Sequence, residues 1–172
     1  MKGLLDDSAS RMSIRPAEKQ DVGIILGFIK ELAEYERLTH EVVNDGVSLN
    51  RFLFGEHRAA EAIIAESNET PVGFALFFHT FSTFLGKPGL YLEDLYVKPD
   101  MRGQGFGKLL LRHVARLALE RGCGRLEWSV LDWNKPAIGF YEKLGAQAMD
   151  DWTVYRLTGD NLSAFGKQEP ET

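Results

Sequence analysis

The stretch Arg102-Gly103-Gln104-Gly105-Phe106-Gly107-Lys108 sets three glycines at alternate positions and then runs into Leu109 and Leu110. Glycines at that spacing before a helical pattern free backbone N–H groups to approach an anion, and the helix N-terminus adds partial positive charge. The chemistry on offer is the grip of a phosphate, and a glycine turn of purely structural purpose is the alternative. Spacing excludes two phosphate loops. The P-loop needs a glycine where the chain has Arg102, and a serine or threonine where it has Leu109. The dinucleotide fingerprint fails because the third glycine, Gly107, arrives one residue early, and because this loop does not open the first βα unit.

Upstream, "YLEDLYV" places Glu93 beside Asp94. Neighbours on a regular strand point to opposite faces, so one of the two carboxylates faces any given site, and a distortion of the strand changes which. The bland alternative is that both are salt-bridged or solvated. His40, His57, His79 and His113 have no ligand spacing, and the single Cys123 forms no internal disulfide and excludes a cysteine-rich metal site; no metal is expected.

The elements that must position these groups follow from periodicity. A short strand, "SIRPA", begins at Ser13 and breaks at Pro16. Val22, Ile25, Ile29, Leu32 and Ala33 recur at helical spacing and predict a helix from Asp21 to about Arg37; a weaker one holds Phe52 and Leu53. "AEAIIAES" and "VGFALFFHTF" form a hairpin about "SNETP", and a further strand covers 90–97. A helix from about Gly105 to Arg121 buries Leu109, Leu110, Val114, Leu117 and Ala118, and "RLEWSVL" is the next strand. Asn134 caps a helix with Pro136 in its first turn and Gly145 past its end. "WTVYRL", 152–157, reads as a closing strand. This order predicts an α/β fold, a mixed twisted β-sheet with helices on both faces. Residues 1–11 are expected to be a disordered extension, 12–160 one domain and 161–172 a polar tail.

The run "LEDLYVKPDMRGQGFGKLLL" resembles the central motif of the GCN5-related N-acetyltransferase (GNAT) family, Arg/Gln-x-x-Gly-x-Gly/Ala, met by Arg102, Gly105 and Gly107. "WNKPAIGFYEKLGA" resembles the family's second signature, in which an asparagine and a tyrosine bracket the start of a helix. With "IRPA" and "IKELAEYE", these segments are most similar to the diamine (spermidine/spermine N1-acetyltransferase-like) branch. The resemblance implies acetyl-CoA as cosubstrate, its pyrophosphate held by Arg102, Gly103, Gln104, Gly105, Phe106, Gly107 and Lys108. It implies that backbone N–H groups of Leu95, Tyr96 and Val97 pair with the pantetheine arm and hold the oxyanion, and that Asn134, Lys135 and Pro136 also touch the cofactor.

An alkylamine has a pKa of about 10.4, so at neutral pH a group must take its proton before it attacks a thioester. The resemblance points to Glu93 as amine ligand and, through a water, general base. Tyr141 matches the family tyrosine that protonates the leaving sulfur: a phenol of pKa about 10 donates to a thiolate of pKa about 8.5. Helix packing is the alternative for Tyr141. For the acceptor, the resemblance brings in Tyr35, Glu36, Glu127, Trp128, Ser129 and Trp152; without it, Glu34 and Glu36 read sooner as a solvated helix face than as ligands. The acceptor implied is a polyamine, a diamine, a lysine-like amino acid such as thialysine, or a protein N-terminus. A non-catalytic acyl-CoA sensor would need the loop without Glu93 and Tyr141.

The 172 residues are 44% hydrophobic with a net charge of −5, which suits a globular protein and a cationic substrate and argues against a nucleic-acid surface. No apolar run reaches the roughly 18 residues needed to span a bilayer. A cytoplasmic protein is expected, and the family resemblance adds a homodimer.

Overall fold

The computed structural model describes residues 11–168; all but the last residue of the expected extension 1–11, and the last four residues of the chain, lie outside them. Five strands form one sheet in chain order: β1 (Met12–Pro16), β2 (Glu61–Ser67), β3 (Thr70–Ser82), β4 (Lys87–Val97) and β5 (Leu126–Trp128). The first four pair antiparallel and β5 joins β4 in parallel, so the sheet is mixed and the fold α/β, as expected. Ala62, Ile63, Ile64 and Ala65 are all buried, because β2 is internal and covered on both faces.

One face carries α1 (Val22–Glu36) and α2 (Gly46–Phe54). Ile25 and Phe28 of α1 and Leu49 and Leu53 of α2 close over Ala62, Ile64, Phe74, Leu76 and Tyr96. Phe28 stacks on Phe74 with centroids 5.7 Å apart, and each such fully buried side chain contributes about 2–3 kcal/mol. Against the other face lies α3 (Phe106–Glu120), burying Phe106, Leu110, Leu111, Val114 and Ala118. Just past its end Arg121 pairs with both oxygens of Glu61, at 2.5 and 2.8 Å, and lies over the Phe77 ring.

The entry to α1 rests on Asp21, whose nearly buried carboxylate accepts from both terminal nitrogens of Arg15, at 2.6 and 2.9 Å, and from the Glu18 N–H. The Nε of Arg15 donates to Glu66 on β2 at 2.7 Å. One guanidinium thus ties the first strand, the second strand and the start of the first helix. It also holds the Asp21 carboxyl below its ordinary range, chiefly by hydrogen bonding. At the far end of α1 Arg37 adopts φ 63°, and the N–H groups of Arg37 and Leu38 close on the carbonyls of Glu34 and Ala33.

Contacts divide the chain after Ser129, and Val130 onward forms a second unit. In it α4 (Lys135–Glu142) begins as expected: Asn134 Oδ1 accepts from the Ala137 N–H at 3.3 Å, and Gly145 at φ 87° follows the end. The closing strand expected over 152–157 is not formed; those residues have no regular structure. Strand propensity measures packing against neighbouring strands, and alternation in the sequence does not supply one. The segment expected as a polar tail instead starts with a further helix, α5 (Gly159–Gly166), behind Thr158. Likewise β5 is three residues long where "RLEWSVL" predicts seven.

Candidate active site

Strand β4 is where the site begins. Its register against β3 runs Leu76 to Asp94 and then Phe77 to Leu92, which leaves Glu93 as an extra residue, a β-bulge. The distortion allowed for at Glu93-Asp94 is therefore present. Asp94 lies across from Leu76, on the face that carries α1, while Glu93 is exposed. The expectation that Glu93, and not Asp94, faces the reaction assumed a regular strand. The bulge removes that assumption.

At the same step β4 loses its other neighbour. β5 pairs with Leu90, Tyr91 and Leu92 only, and among the described residues no strand continues along Glu93 to Val97. Backbone there is open to an extended ligand, as a strand edge is. Tyr91 holds the mouth of the opening: its hydroxyl lies 2.6 Å from Ser129 Oγ.

The carboxylates here are electrostatically strained. Burial pushes the Asp94 carboxyl up to about 7, with Glu93 and Glu36 adding like-charge repulsion. Burial also raises Glu36, at the last position of α1. A site that holds three acids together and protonates one of them near neutrality suits a cation and a proton transfer.

From Val97 the chain passes through Pro99–Met101, a single 3-10 turn, into the glycine loop and α3. Gly103 and Gly105 have φ 77° and 98°, conformations that side chains with a Cβ rarely adopt. Gly107 differs, since a Cβ there would meet nothing nearer than Val97 Cγ2 at 4.0 Å. The loop N–H groups and the start of a fifteen-residue helix are the parts a pyrophosphate needs. Phe106 is buried in the core, so only its backbone is available to a ligand. Gln104 donates to the Asp100 carbonyl at 3.2 Å, and Lys108 is exposed. Arg102 Nε donates to the Val97 carbonyl at 3.0 Å. Its guanidinium lies 4.6 Å from the centroid of Tyr35 and 5.7 Å from that of Tyr96.

These contacts bring Tyr35, Tyr96, Val97 and Arg102 together, with Glu36 and Glu93 each in electrostatic reach of Asp94. Glu127, Trp128 and Ser129 are on β5 and its end, where Glu127 pairs with Arg125 at 2.7 Å. In the second unit Asn134, Lys135 and Pro136 open α4, Tyr141 packs its ring 5.2 Å from Phe140 in the same helix, and Trp152 is largely exposed. Sequence reasoning missed the Asp94 environment, and the register against β3 is its only signal. It also missed Glu31, whose Oε2 accepts from the Tyr96 hydroxyl at 2.8 Å.

Residues 26–146 match the model of the acetyltransferase (GNAT) family. The chain is 40% identical to the thialysine N-epsilon-acetyltransferase of Bos taurus, over 87% of this chain and 94% of that one. It is 35% identical to an L-ornithine N5-acetyltransferase of Arabidopsis thaliana, over 90% of this chain and 87% of that one. The solved structure of an integron cassette protein from the mobile metagenome of V. cholerae superposes with a TM-score of 0.77 at 27% identity, covering 91% of this chain and 98% of that one. With a family match over most of its length and relatives of such identity, this chain belongs to the acetyltransferase (GNAT) family.

Proposed function

We propose that the protein transfers acetyl from acetyl-CoA to a side-chain amine of a small cationic acceptor, by direct attack in a ternary complex. The observation that carries this reading is the bulge at Glu93. It puts two carboxylates at the point where β4 is unpaired on one edge, on the strand that leads into the glycine loop. The relatives that act on thialysine and on L-ornithine favour an amino acid with an amine-bearing side chain, ahead of a polyamine or diamine, with a protein N-terminus last.

In this reading the loop N–H groups of Gly103 to Lys108 hold the pyrophosphate, and the unpaired edge of Leu95, Tyr96 and Val97 binds the pantetheine arm and stabilises the oxyanion. Asn134, Lys135 and Pro136 are proposed as further cofactor contacts. Acetyl-CoA supplies the acyl group when bound, and the chain supplies the proton transfers. Asp94, with its carboxyl near 7, accepts a proton at neutral pH far better than an ordinary aspartate, which would be too weak a base. Glu93 binds the ammonium and passes its proton through water, and Tyr141 returns a proton to the departing sulfur. Glu36 and Tyr35 are proposed acceptor contacts, as are Glu127, Trp128 and Ser129 and, by the family resemblance alone, Trp152. Cys123 is no acyl relay: it follows the far end of α3, whose fifteen residues put about 22 Å between its ends.

A homodimer in the cytoplasm completes the proposal. Its support is the family resemblance and the exposure of Trp152, Val154, Tyr155, Leu157, Leu162 and Phe165, each more than half exposed in the single chain. No helix among the described residues is long and apolar enough to cross a membrane. Sedimentation velocity at several concentrations tests the dimer, and a monomer throughout removes it.

The deciding experiment is a panel of amines with acetyl-CoA, read by release of free thiol. Turnover of thialysine, ornithine or diamines is expected. Inert amines with reactive peptides would move the acceptor to a protein. Tight CoA binding with no turnover of any amine or peptide would leave only the sensing module.

A further inference from the structure

We propose that Arg102 is a positioning residue that couples the acceptor wall to the cofactor loop, beyond any contact it makes with a phosphate. The proposal rests on the reading of the glycine loop as a cofactor grip and of the end of α1 as part of the acceptor pocket. The motif alone reads Arg102 as one cation among several at a pyrophosphate. Its geometry ties it instead to three residues on two elements, β4 and α1. The Nε is spent on the Val97 carbonyl at the last residue of β4. The guanidinium plane covers Tyr35 on α1 at 4.6 Å and Tyr96 on β4 at 5.7 Å.

Tyr96 extends the connection. It is buried, its hydroxyl donates to Glu31 on α1, and the adjacent Arg102 opposes the rise in its pKa that burial and Glu31 produce, to about 12. Glu31 and Tyr35 are one helical turn apart on α1, so Arg102 and Tyr96 together hold one side of that helix against the strand end. Only four residues, Lys98 and the turn Pro99–Met101, lie between Val97 and the Arg102 that holds its carbonyl. A shift of α1 on amine binding therefore moves the residue from which the glycine loop starts, and a loop drawn onto a phosphate fixes the position of Tyr35. Lysine would keep the charge but lose both the fixed Nε donor and the flat stacking surface.

The test uses the full chain, with Arg102→Gln, Arg102→Lys, Tyr35→Leu, Tyr35→Phe and the double variant Arg102→Gln/Tyr35→Leu. Circular-dichroism melting establishes that each is folded. CoA binding is measured by calorimetry and the KM of the amine by thiol release. A cation–π contact at a partly exposed site corresponds to about three- to tenfold in an equilibrium constant. Tyr35→Leu, although it changes α1, is expected to weaken CoA binding by about threefold or more, and Tyr35→Phe to restore it. Arg102→Gln and Arg102→Lys are expected to raise the KM of the amine as well as weaken CoA, and the double variant to be no worse than the poorer single one. An unchanged CoA affinity in Tyr35→Leu overturns the proposal, as does a double variant equal to the product of the singles. If wild-type protein binds CoA but turns over no amine, the functional reading fails, and the CoA arm of the Tyr35 variants still decides the coupling.

Discussion

Asp94 stands opposite Leu76 in the pairing of β3 with β4, although Leu92 stands opposite Phe77, so the chain spends one extra residue, Glu93, between them. That single slip turns Asp94 onto the α1 face, among carboxylates, and leaves Glu93 exposed. Of the two adjacent acids, Asp94 is the one whose carboxyl is thereby raised to about 7, chiefly by desolvation.

The pH dependence of both rate and stability should report this difference. With the Asp94 carboxyl raised to about 7, turnover in the wild type should fall on the acidic side with an inflection near that value, and Asp94→Asn should abolish the inflection and lower kcat by about 10²-fold or more. Glu93→Gln should keep an inflection but move it to lower pH, because the repulsion that Glu93 adds at Asp94 is gone. For stability the sign is that of a raised acid: the contribution of Asp94 is complete below its ordinary value of 3.8 and is lost as pH rises through about 7. Denaturant titrations should therefore show the wild type, but not Asp94→Asn, losing stability across that window.

Tyr141→Phe removes one hydroxyl from α4 and keeps the ring beside Phe140. CoA binding by calorimetry is expected to be retained while kcat falls by about 10²-fold, the usual range for losing a general acid. An unchanged rate removes Tyr141 from the reaction.

Gly105 and Gly107 should separate under alanine substitution. Gly105→Ala forces a Cβ onto φ 98° and is expected to cost about 1–2 kcal/mol in urea unfolding and to weaken CoA binding. Gly107→Ala meets only Val97 Cγ2, at van der Waals distance, and should leave the stability within about 0.5 kcal/mol and CoA binding within about threefold. Equal losses at the two positions would contradict this division.

Arg15→Ala strands the nearly buried Asp21 carboxylate and cuts the tie to Glu66. A loss of about 2–3 kcal/mol is expected, reduced from the value for a fully buried pair because the arginine side chain is 34% exposed. At this chain length that is roughly 5–10 °C in Tm. Because Arg15 depresses the Asp21 pKa, the stabilisation is present above the ordinary value of 3.8 and is lost as pH falls through the lower, folded value. The wild-type advantage over Arg15→Ala should therefore shrink in acid.

Periodicity in the sequence determined the order of strands and helices as far as α4, because each of those elements has its own apolar pattern and its own punctuation. The cap at Asn134, the turn of Asn68-Glu69 and the glycine loop are local chemistry, readable from neighbouring residues. "WTVYRL" and the length of β5 were not readable, since a strand exists only where another strand pairs with it. The glycine spacing likewise marked an anion loop and set aside two nucleotide folds from one dimension of information. Tertiary structure decided which acid is desolvated, because the bulge at Glu93 is a matter of register between β3 and β4, two strands that meet only on folding. It also decided what Arg102 does: residues 35 and 102 are remote in the chain, and only the packing of α1 against the end of β4 lays a tyrosine ring under that guanidinium.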